Sequence, residues 1–134
     1  MSEIKVDTLT GKTTANDITV TVGASATMSL EQGLAKAWVN FNGTGTVAIR
    51  DSFSISSISD TSTGNFASTY TNNMNNSDYS VCATVSDNSG VNAQWTYTSV
   101  STSGFTYLTA DDAGSGYTWT DYASNSATIN GDLA

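Results

Sequence analysis

The chain has 134 residues, of which 38% are hydrophobic and 12% charged, and its formal net charge is -8. Both fractions lie below the usual globular shares of about 45–50% and ~25%. Small polar side chains fill the difference, since 42 residues are Ser or Thr. Four basic residues are too few to bind nucleic-acid phosphates or an anionic membrane surface, which excludes both partners. The 10% aromatic content and the low charge density favour an ordered chain.

The composition gives little support to catalysis or metal binding. The chain contains no histidine and one cysteine, Cys82. Ser–His and Cys–His nucleophilic pairs, most zinc sites and an internal disulfide are therefore excluded. The aspartates fall mainly in turn signals, where Asp is expected for its own side-chain hydrogen bonds. We predict a protein that is not an enzyme, with no catalytic residue, no metal site and no cofactor.

Residues 1–37 predict an N-terminal arm that serves attachment or oligomerisation. Two strand-like segments, 4–9 and 18–22, lie on either side of Gly11, and the second alternates strictly between apolar and polar residues. No apolar run is long enough for a signal peptide or for a membrane span of about 18 residues. We therefore expect no membrane insertion and synthesis in a cytoplasm.

The arm is also predicted to contain a short helix over residues 30–36. Ser29 is a favourable N-cap, and Gln32 completes a capping-box pattern. Leu30 and Leu34 lie one turn apart, and Ala37 continues their stripe. A two-turn helix is unstable alone in water, so its narrow apolar stripe needs a partner, either the rest of its own domain or a bundle with the same stripe in neighbouring copies of the chain.

Residues 38–134 predict an antiparallel β-sandwich with jelly-roll-like connections. The strand signals recur every 8–12 residues and are separated by Gly, Asn and Asp turns, of which Asn42-Gly43 predicts a tight hairpin. The predicted strands are residues 38–42, 47–50, 53–58, 66–70, 79–85, 91–97, 105–109, 117–119 and 127–129.

Aromatic residues are concentrated in the last 40 positions, and some of them must form the core. An exposed Trp or Tyr beside Asn and Asp is typical of a sugar-binding surface, and it is equally typical of a subunit interface. Core or interface packing is the favoured interpretation, with ligand contact as the alternative. The candidate receptor or sugar contacts are Trp95, Tyr107, Tyr117 and Trp119. The candidate oligomer-interface residues are Leu30, Leu34, Ala37 and Trp38.

The segments 4–15, 18–20, 30–45 and 49–58 resemble the opening of short tail-fibre-like structural proteins of marine bacteriophages. The stretch from Gln32 to Trp38 is the most specific part, and the resemblance covers about the first 85 residues. It implies a virion protein, a trimer whose N-terminal arm binds other virion proteins. The C-terminal β domain would be displayed outward, where it could contact a glycan or protein of the host surface. A capsid decoration or head-fibre protein and a stand-alone carbohydrate-binding module remain open alternatives.

Overall fold

A computed structural model describes residues 4–11, 18–22, 25–86, 92–112, 114 and 116–134. It divides into two compact units, Met1–Leu34 and Ala35–Ala134; the sequence placed this boundary between residues 37 and 38. Strands dominate, and no helix occurs among the described residues. The predicted mainly β class is confirmed, and no helix of the described residues could cross a membrane.

The N-terminal unit contains one small antiparallel sheet. Strand β1 (Thr19–Val22) pairs with β2 (Ala26–Ser29). The backbone N–H of Leu30 donates to the carbonyl of Ile18 at 2.7 Å and extends this ladder by one step. Residues 4–11, which were predicted to begin with a strand, have no strand structure. Among its described residues, the unit is therefore a two-stranded ribbon with irregular chain at residues 4–11.

The predicted helix over residues 30–36 is wrong. Ser29 pairs with Thr19 as the last residue of β2, so it does not act as an N-cap. Two turn bonds form, from the N–H of Gly33 to the carbonyl of Ser29 at 3.3 Å and from the N–H of Leu34 to the carbonyl of Glu31 at 3.1 Å, but no helix follows from them. A two-turn helix that contains Gly33 has weak intrinsic stability, so pairing of β2 with a β-branched partner strand prevails.

The C-terminal unit is built from nine strands of the described chain. They are β3 (Ala37–Asn42), β4 (Ala48–Phe53), β5 (Ile55–Ser62), β6 (Asn65–Tyr70), β7 (Ser80–Ser86), β8 (Asn92–Ser101), β9 (Gly104–Asp112), β10 (Tyr117–Trp119) and β11 (Ser124–Asn130).

These strands form two antiparallel sheets. The four-stranded sheet has the order β4-β3-β11-β7. In the five-stranded sheet, β9 pairs with β8 along one edge. The other edge of β9 pairs with β6 and, further along the strand, with β10. Strand β5 pairs with the far edge of β6. Four of the eight successive strand pairs are hairpins within one sheet, and the other four connections pass from one sheet to the other. The jelly-roll-like connectivity, which needs Greek-key crossings, stays a prediction.

The two sheets bury their facing side chains in one shared core. Alternate residues of β3 point inward, and Phe41 is fully buried. Its ring meets Phe66 at 5.2 Å and Tyr107 at 5.7 Å between centroids, both edge to face. Phe66 and Tyr107 belong to the five-stranded sheet, so these contacts join the sheets as a β-sandwich predicts.

The turn after β3 differs from the prediction. The left-handed glycine is Gly45, with φ of 64°, rather than Gly43. The Asn42 side chain holds the turn by donating to the carbonyl of Thr44 at 2.9 Å. Gly43 is required for packing, because a Cβ at this position would lie 2.7 Å from the ring of Phe66. Local turn rules identified the turn correctly but gave the wrong reason for this glycine.

Candidate functional site

The outer face of the five-stranded sheet carries a row of side chains that point away from the core. Tyr107 points inward, so its neighbour Leu108 points outward. Ala110, two residues further along β9, shares the face of Leu108. Ala110 pairs with Gln94 on β8 and with Trp119 on β10. Residues directly opposite each other in a sheet lie on one face, so these three side chains cross the sheet in one row.

A concave surface of about 430 Å³, which we name the outer trough, lies on this row. Its floor is apolar, and Leu108 and Ala110 are 7% and 4% exposed although they face away from the core. Its aromatic walls are open, since Tyr117 and Trp119 are 65% and 49% exposed. The residues that line it are Gln94, Trp95, Thr96, Leu108, Ala110, Tyr117 and Trp119.

A second concavity of about 220 Å³, which we name the side hollow, shares the walls of Leu108 and Trp119 with the outer trough. The indole of Trp119 therefore borders both spaces. The remaining lining is polar and carries no formal charge. It consists of Ser62, Thr63, Asn65 and Thr98.

Hydrogen bonds around β10 hold Trp119 in place. The N–H of Thr120 donates to the carbonyl of Thr109 at 3.2 Å. The hydroxyl of Thr109 donates in return to the carbonyl of Thr120 at 2.6 Å. The hydroxyl of Thr120 donates to Asp111 at 3.0 Å. Because the residue next to Trp119 is fixed on both its backbone and its side chain, the exposed indole stands on a rigid support.

The turn between β5 and β6 provides further support from the side. The N–H of Thr109 donates to the carbonyl of Gly64 at 2.8 Å, and the N–H of Gly64 donates to the carboxylate of Asp121 at 2.5 Å. Gly64 has φ of 68°, and a Cβ there would meet the β-carbon of Trp119 at 3.2 Å. Glycine at this position lets the turn approach the strand that carries the indole.

The charges near the outer trough are acidic. The amide of Gln94 donates to the carboxylate of Asp112 at 3.3 Å, and Asp111 lies next to it in β9. The sequence contains no Lys or Arg after Arg50. Arg50 itself donates to the Asn40 side chain and to the carbonyls of Phe41 and Ala123. The outer trough therefore offers no cation to an anionic ligand.

Two of the four predicted receptor contacts, Tyr117 and Trp119, come together in the outer trough. The prediction that Tyr107 contacts a receptor must be corrected, because Tyr107 is 1% exposed and its ring packs against Phe41. Trp95 borders the outer trough, but it is half-buried and its ring stacks on Tyr107 at 6.2 Å. It is therefore mainly a core side chain.

Sequence reasoning missed the polar and aliphatic members of the outer trough. Gln94, Thr96, Leu108 and Ala110 come from one hairpin, in which Gln94 pairs with Ala110 and Thr96 with Leu108. The signal available in the sequence was the alternation along both strands. Combined with a hairpin register, it would have placed these four side chains on the face opposite Tyr107.

The predicted interface residues are divided between the two units. In the N-terminal unit, Leu34 is 53% exposed and Leu30 is half-buried. In the C-terminal unit, the prediction that Ala37 lies at the oligomer interface must be corrected, because Ala37 is fully buried in the core and is unavailable to another chain. Trp38 is half-buried on the outer face of the four-stranded sheet. It pairs there with Phe53, which is 54% exposed.

Metal-binding clusters of three or more His, Cys, Asp or Glu side chains are absent from the part of the chain that the structure describes. Comparisons with protein-family models, with curated proteins and with solved structures found no match to this chain. A function must therefore be inferred from the surfaces of the two units.

Proposed function

We propose that this protein is a structural subunit of a bacteriophage particle, a fibre or appendage subunit without enzymatic activity. Its N-terminal unit attaches to other virion proteins and to its own copies in a homotrimer. Its C-terminal unit is displayed outward and contacts the host cell surface. The resemblance of the first 85 or so residues to marine phage tail-fibre-like proteins supports this proposal, as does the mainly β fold.

The observation that carries the proposal is the exposure of the apolar side chains in the N-terminal unit. An isolated two-stranded sheet is marginally stable at best in water. The N-terminal unit also leaves most of its large described hydrophobic side chains exposed to solvent. Burial of such side chains stabilises by about 1.5–3 kcal/mol each, so a binding partner has much to gain. The exposed residues are Ile4, Val6, Leu9, Val20, Met28 and Leu34.

Other copies of the same chain are the partner that we propose for part of this surface. The predicted helical bundle does not form, so the trimer rests instead on side chains presented by the β1–β2 ribbon and the turn after it. Three copies around one axis form a closed ring of identical contacts. The remaining apolar side chains of residues 4–9 are then available to another virion protein.

Replacing Leu30 and Leu34 together by Asp tests the trimer. We expect the double variant to be monomeric when the parent is trimeric, because two carboxylates would have to be desolvated at the interface. Light scattering after size exclusion measures the mass. Thr27→Asp is the matched control, since Thr27 is exposed in the same unit and its replacement removes no apolar side chain. An unchanged trimer in the double variant would contradict the proposal.

The location of the protein tests the role in the particle. Antibodies raised against the C-terminal unit should label purified phage particles in electron micrographs, and mass spectrometry of those particles should detect the chain. Labelling of the tail supports the fibre or appendage subunit. Labelling of the head supports the alternative of a capsid decoration or head-fibre protein. Particles without the chain would overturn both.

A stand-alone carbohydrate-binding module is the second candidate, and the outer trough favours it. Exposed aromatic rings over an apolar floor with polar side chains at the rim are the chemistry of a small-ligand site. A chain that stays monomeric at micromolar concentration, binds a sugar and is missing from particles would favour this function over the proposed one.

A further inference from the structure

We propose that the outer trough and the side hollow together bind an uncharged oligosaccharide, with consecutive sugar rings on the two sides of Trp119. The inference rests on the proposed display of the C-terminal unit, and it names the class of host ligand that this unit would contact. The site itself consists of residues from strands β8, β9 and β10 and from the β5–β6 turn.

The aromatic walls and apolar floor match one side of a sugar ring. A pyranose has faces formed by C–H groups, which pack on an aromatic ring or an aliphatic floor with little loss of hydration. Tyr117 and Trp119 are half or more exposed, while Leu108 and Ala110 beneath them are nearly buried. A ring placed in the outer trough would therefore meet apolar surface below and an aromatic wall beside it.

The polar side chains match the edge of the same ring, where the hydroxyl groups lie. Gln94 and Thr96 border the outer trough. Asn65 and Thr98 border the side hollow, together with Ser62. Amides and hydroxyls both donate and accept hydrogen bonds, so they suit hydroxyl groups, which do the same. None of these side chains is charged, so their hydrogen bonds to the ligand would form without an ion pair.

The surrounding charge selects a neutral ligand over an anionic one. Asp112 holds the amide of Gln94, with Asp111 beside it. A carboxylated or sulfated sugar would be repelled, and it would find no Lys or Arg from this part of the chain, because none follows Arg50. The formal net charge of -8 adds long-range repulsion of the same sign.

The shapes of the two spaces favour more than one sugar ring. The outer trough, about 430 Å³, lies within the range of about 300–1,000 Å³ that is usual for small-ligand sites. The side hollow adds about 220 Å³ and shares the wall of Trp119. Because Leu108 and Trp119 border both spaces, a linear oligosaccharide that occupies both would lie against Trp119 with more than one ring, so affinity should increase with chain length.

A glycan array and titration calorimetry with the full chain test the inference. The array carries cellohexaose, laminarihexaose, maltohexaose and mannohexaose, their monosaccharides, and carboxylated and sulfated oligosaccharides. We expect at least one neutral hexasaccharide to bind, its monosaccharide to bind at least about tenfold more weakly, and the anionic oligosaccharides not to bind. Binding of anionic glycans alone, or of none of the neutral ones, would overturn the inference.

Matched aromatic variants assign the binding to this face. Trp119→Ala and Tyr117→Ala should each weaken the binding of the neutral hexasaccharide by about 3- to 10-fold, which is the range that aromatic contacts contribute to affinity. Phe53→Ala is the control, because Phe53 is equally exposed but lies on the other sheet. Tyr117 is 65% exposed, so its variant keeps the test valid if Trp119→Ala unfolds. Binding that survives both variants would refute the site.

Failure of the glycan-binding site can be distinguished from failure of the proposed role in the particle. If Trp119→Ala and Tyr117→Ala change the oligomer mass and no neutral glycan binds, the outer trough is an interface between copies and the inference fails. The chain would still be found in purified particles, and the proposed structural function would stand. Conversely, glycan binding by a chain absent from particles would support the site and overturn the virion role.

Discussion

At the scale of single residues, the buried tyrosines are the groups whose chemistry the fold changes most. The hydroxyl of Tyr107 donates to the carbonyl of Thr84 at 2.7 Å. Burial raises the pKa of Tyr107 far above its ordinary value of 10.0. Burial also raises the pKa of Tyr70, and the neighbouring Tyr79 raises it further. Each phenol is thus held in its neutral form inside the sandwich.

This burial predicts a loss of stability at alkaline pH. Below pH 10 the tyrosines are protonated in both the folded and the unfolded chain, so they add no pH dependence. Above it the unfolded chain loses their protons while the folded chain keeps them. The free energy of unfolding should then fall by up to about 1.4 kcal/mol per pH unit for each buried tyrosine. Urea unfolding at pH 8 and at pH 11 measures this.

Phenylalanine variants provide the control for the alkaline prediction. Tyr107→Phe should reduce the pH slope by nearly one proton, because it removes one titrating group from the core. Tyr70→Phe should reduce the slope in the same way, because burial raises the pKa of Tyr70 as well. Equal midpoints of the parent chain at pH 8 and pH 11 would contradict the assignment.

The same residues mark the limit of what the sequence could predict about the site. Residues two apart in a strand share a face, so the sequence correctly predicted that Tyr117 and Trp119 lie together. It could not decide which faces are inside, because the alternate positions are mostly small and polar on both sides. Tyr107 was therefore one of the candidate ligand contacts, although core or interface packing was the favoured interpretation of the aromatic residues. Contact with Phe41 from the other sheet places it in the core.

At the scale of elements, the strands of the C-terminal unit and the β3–β4 hairpin were predictable, and the pairing of strands distant in sequence was not. Alternation and turn residues are local signals, and the observed strands lie close to the predicted segments. β11 lies between β3 and β7, a pairing between distant segments that no local pattern encodes. The helix prediction failed for the opposite reason, because a valid local signal at Ser29 was overridden by pairing with β1.

Arg50 connects elements that are distant in sequence. A β-bulge makes Arg50 the extra residue of β4, because Asn40 pairs with Asp51 and Phe41 with Ile49. Its guanidinium donates to the side chain of Asn40, to the carbonyl of Phe41 and to the carbonyl of Ala123, the residue before β11. One side chain therefore fixes β4, β3 and the entry to β11.

Arg50→Lys tests this role while keeping the charge. A lysine ammonium cannot reproduce the planar fork of a guanidinium, so we expect the free energy of unfolding to fall by about 1–2 kcal/mol. Chemical denaturation monitored by tryptophan fluorescence measures the change. Asp51→Asn is a comparison at the neighbouring exposed position, where we expect less than about 0.5 kcal/mol. Equal stability of Arg50→Lys and the parent would contradict a stabilising role for the hydrogen bonds of the guanidinium.

At the scale of the whole molecule, exposed apolar side chains and acidic charge have opposite effects on the association of copies. The exposed apolar side chains of the N-terminal unit favour association of copies. The formal net charge of -8 on each copy opposes it. A stable trimer needs the first contribution to exceed the second, and their balance depends on ionic strength.

Salt should therefore strengthen the proposed trimer. The screening length falls from about 30 Å at 0.01 M salt to about 8 Å at 0.15 M. We expect the dissociation constant to decrease by at least about threefold over this range, as measured by sedimentation velocity in a dilution series. The Leu30→Asp, Leu34→Asp variant should stay monomeric at both salt concentrations. Weaker association at higher salt would indicate that ion pairs hold the copies together.

Cys82 lies in β7 beside Thr128, and its side chain is exposed. As the single cysteine of the chain, it accepts one maleimide fluorophore per copy without disturbing the tyrosines or the apolar interior. Each assembled complex would carry as many dyes as it has copies. The number of bleaching steps in single-molecule images then counts the subunits, and energy transfer between the dyes measures how far apart neighbouring β7 strands lie.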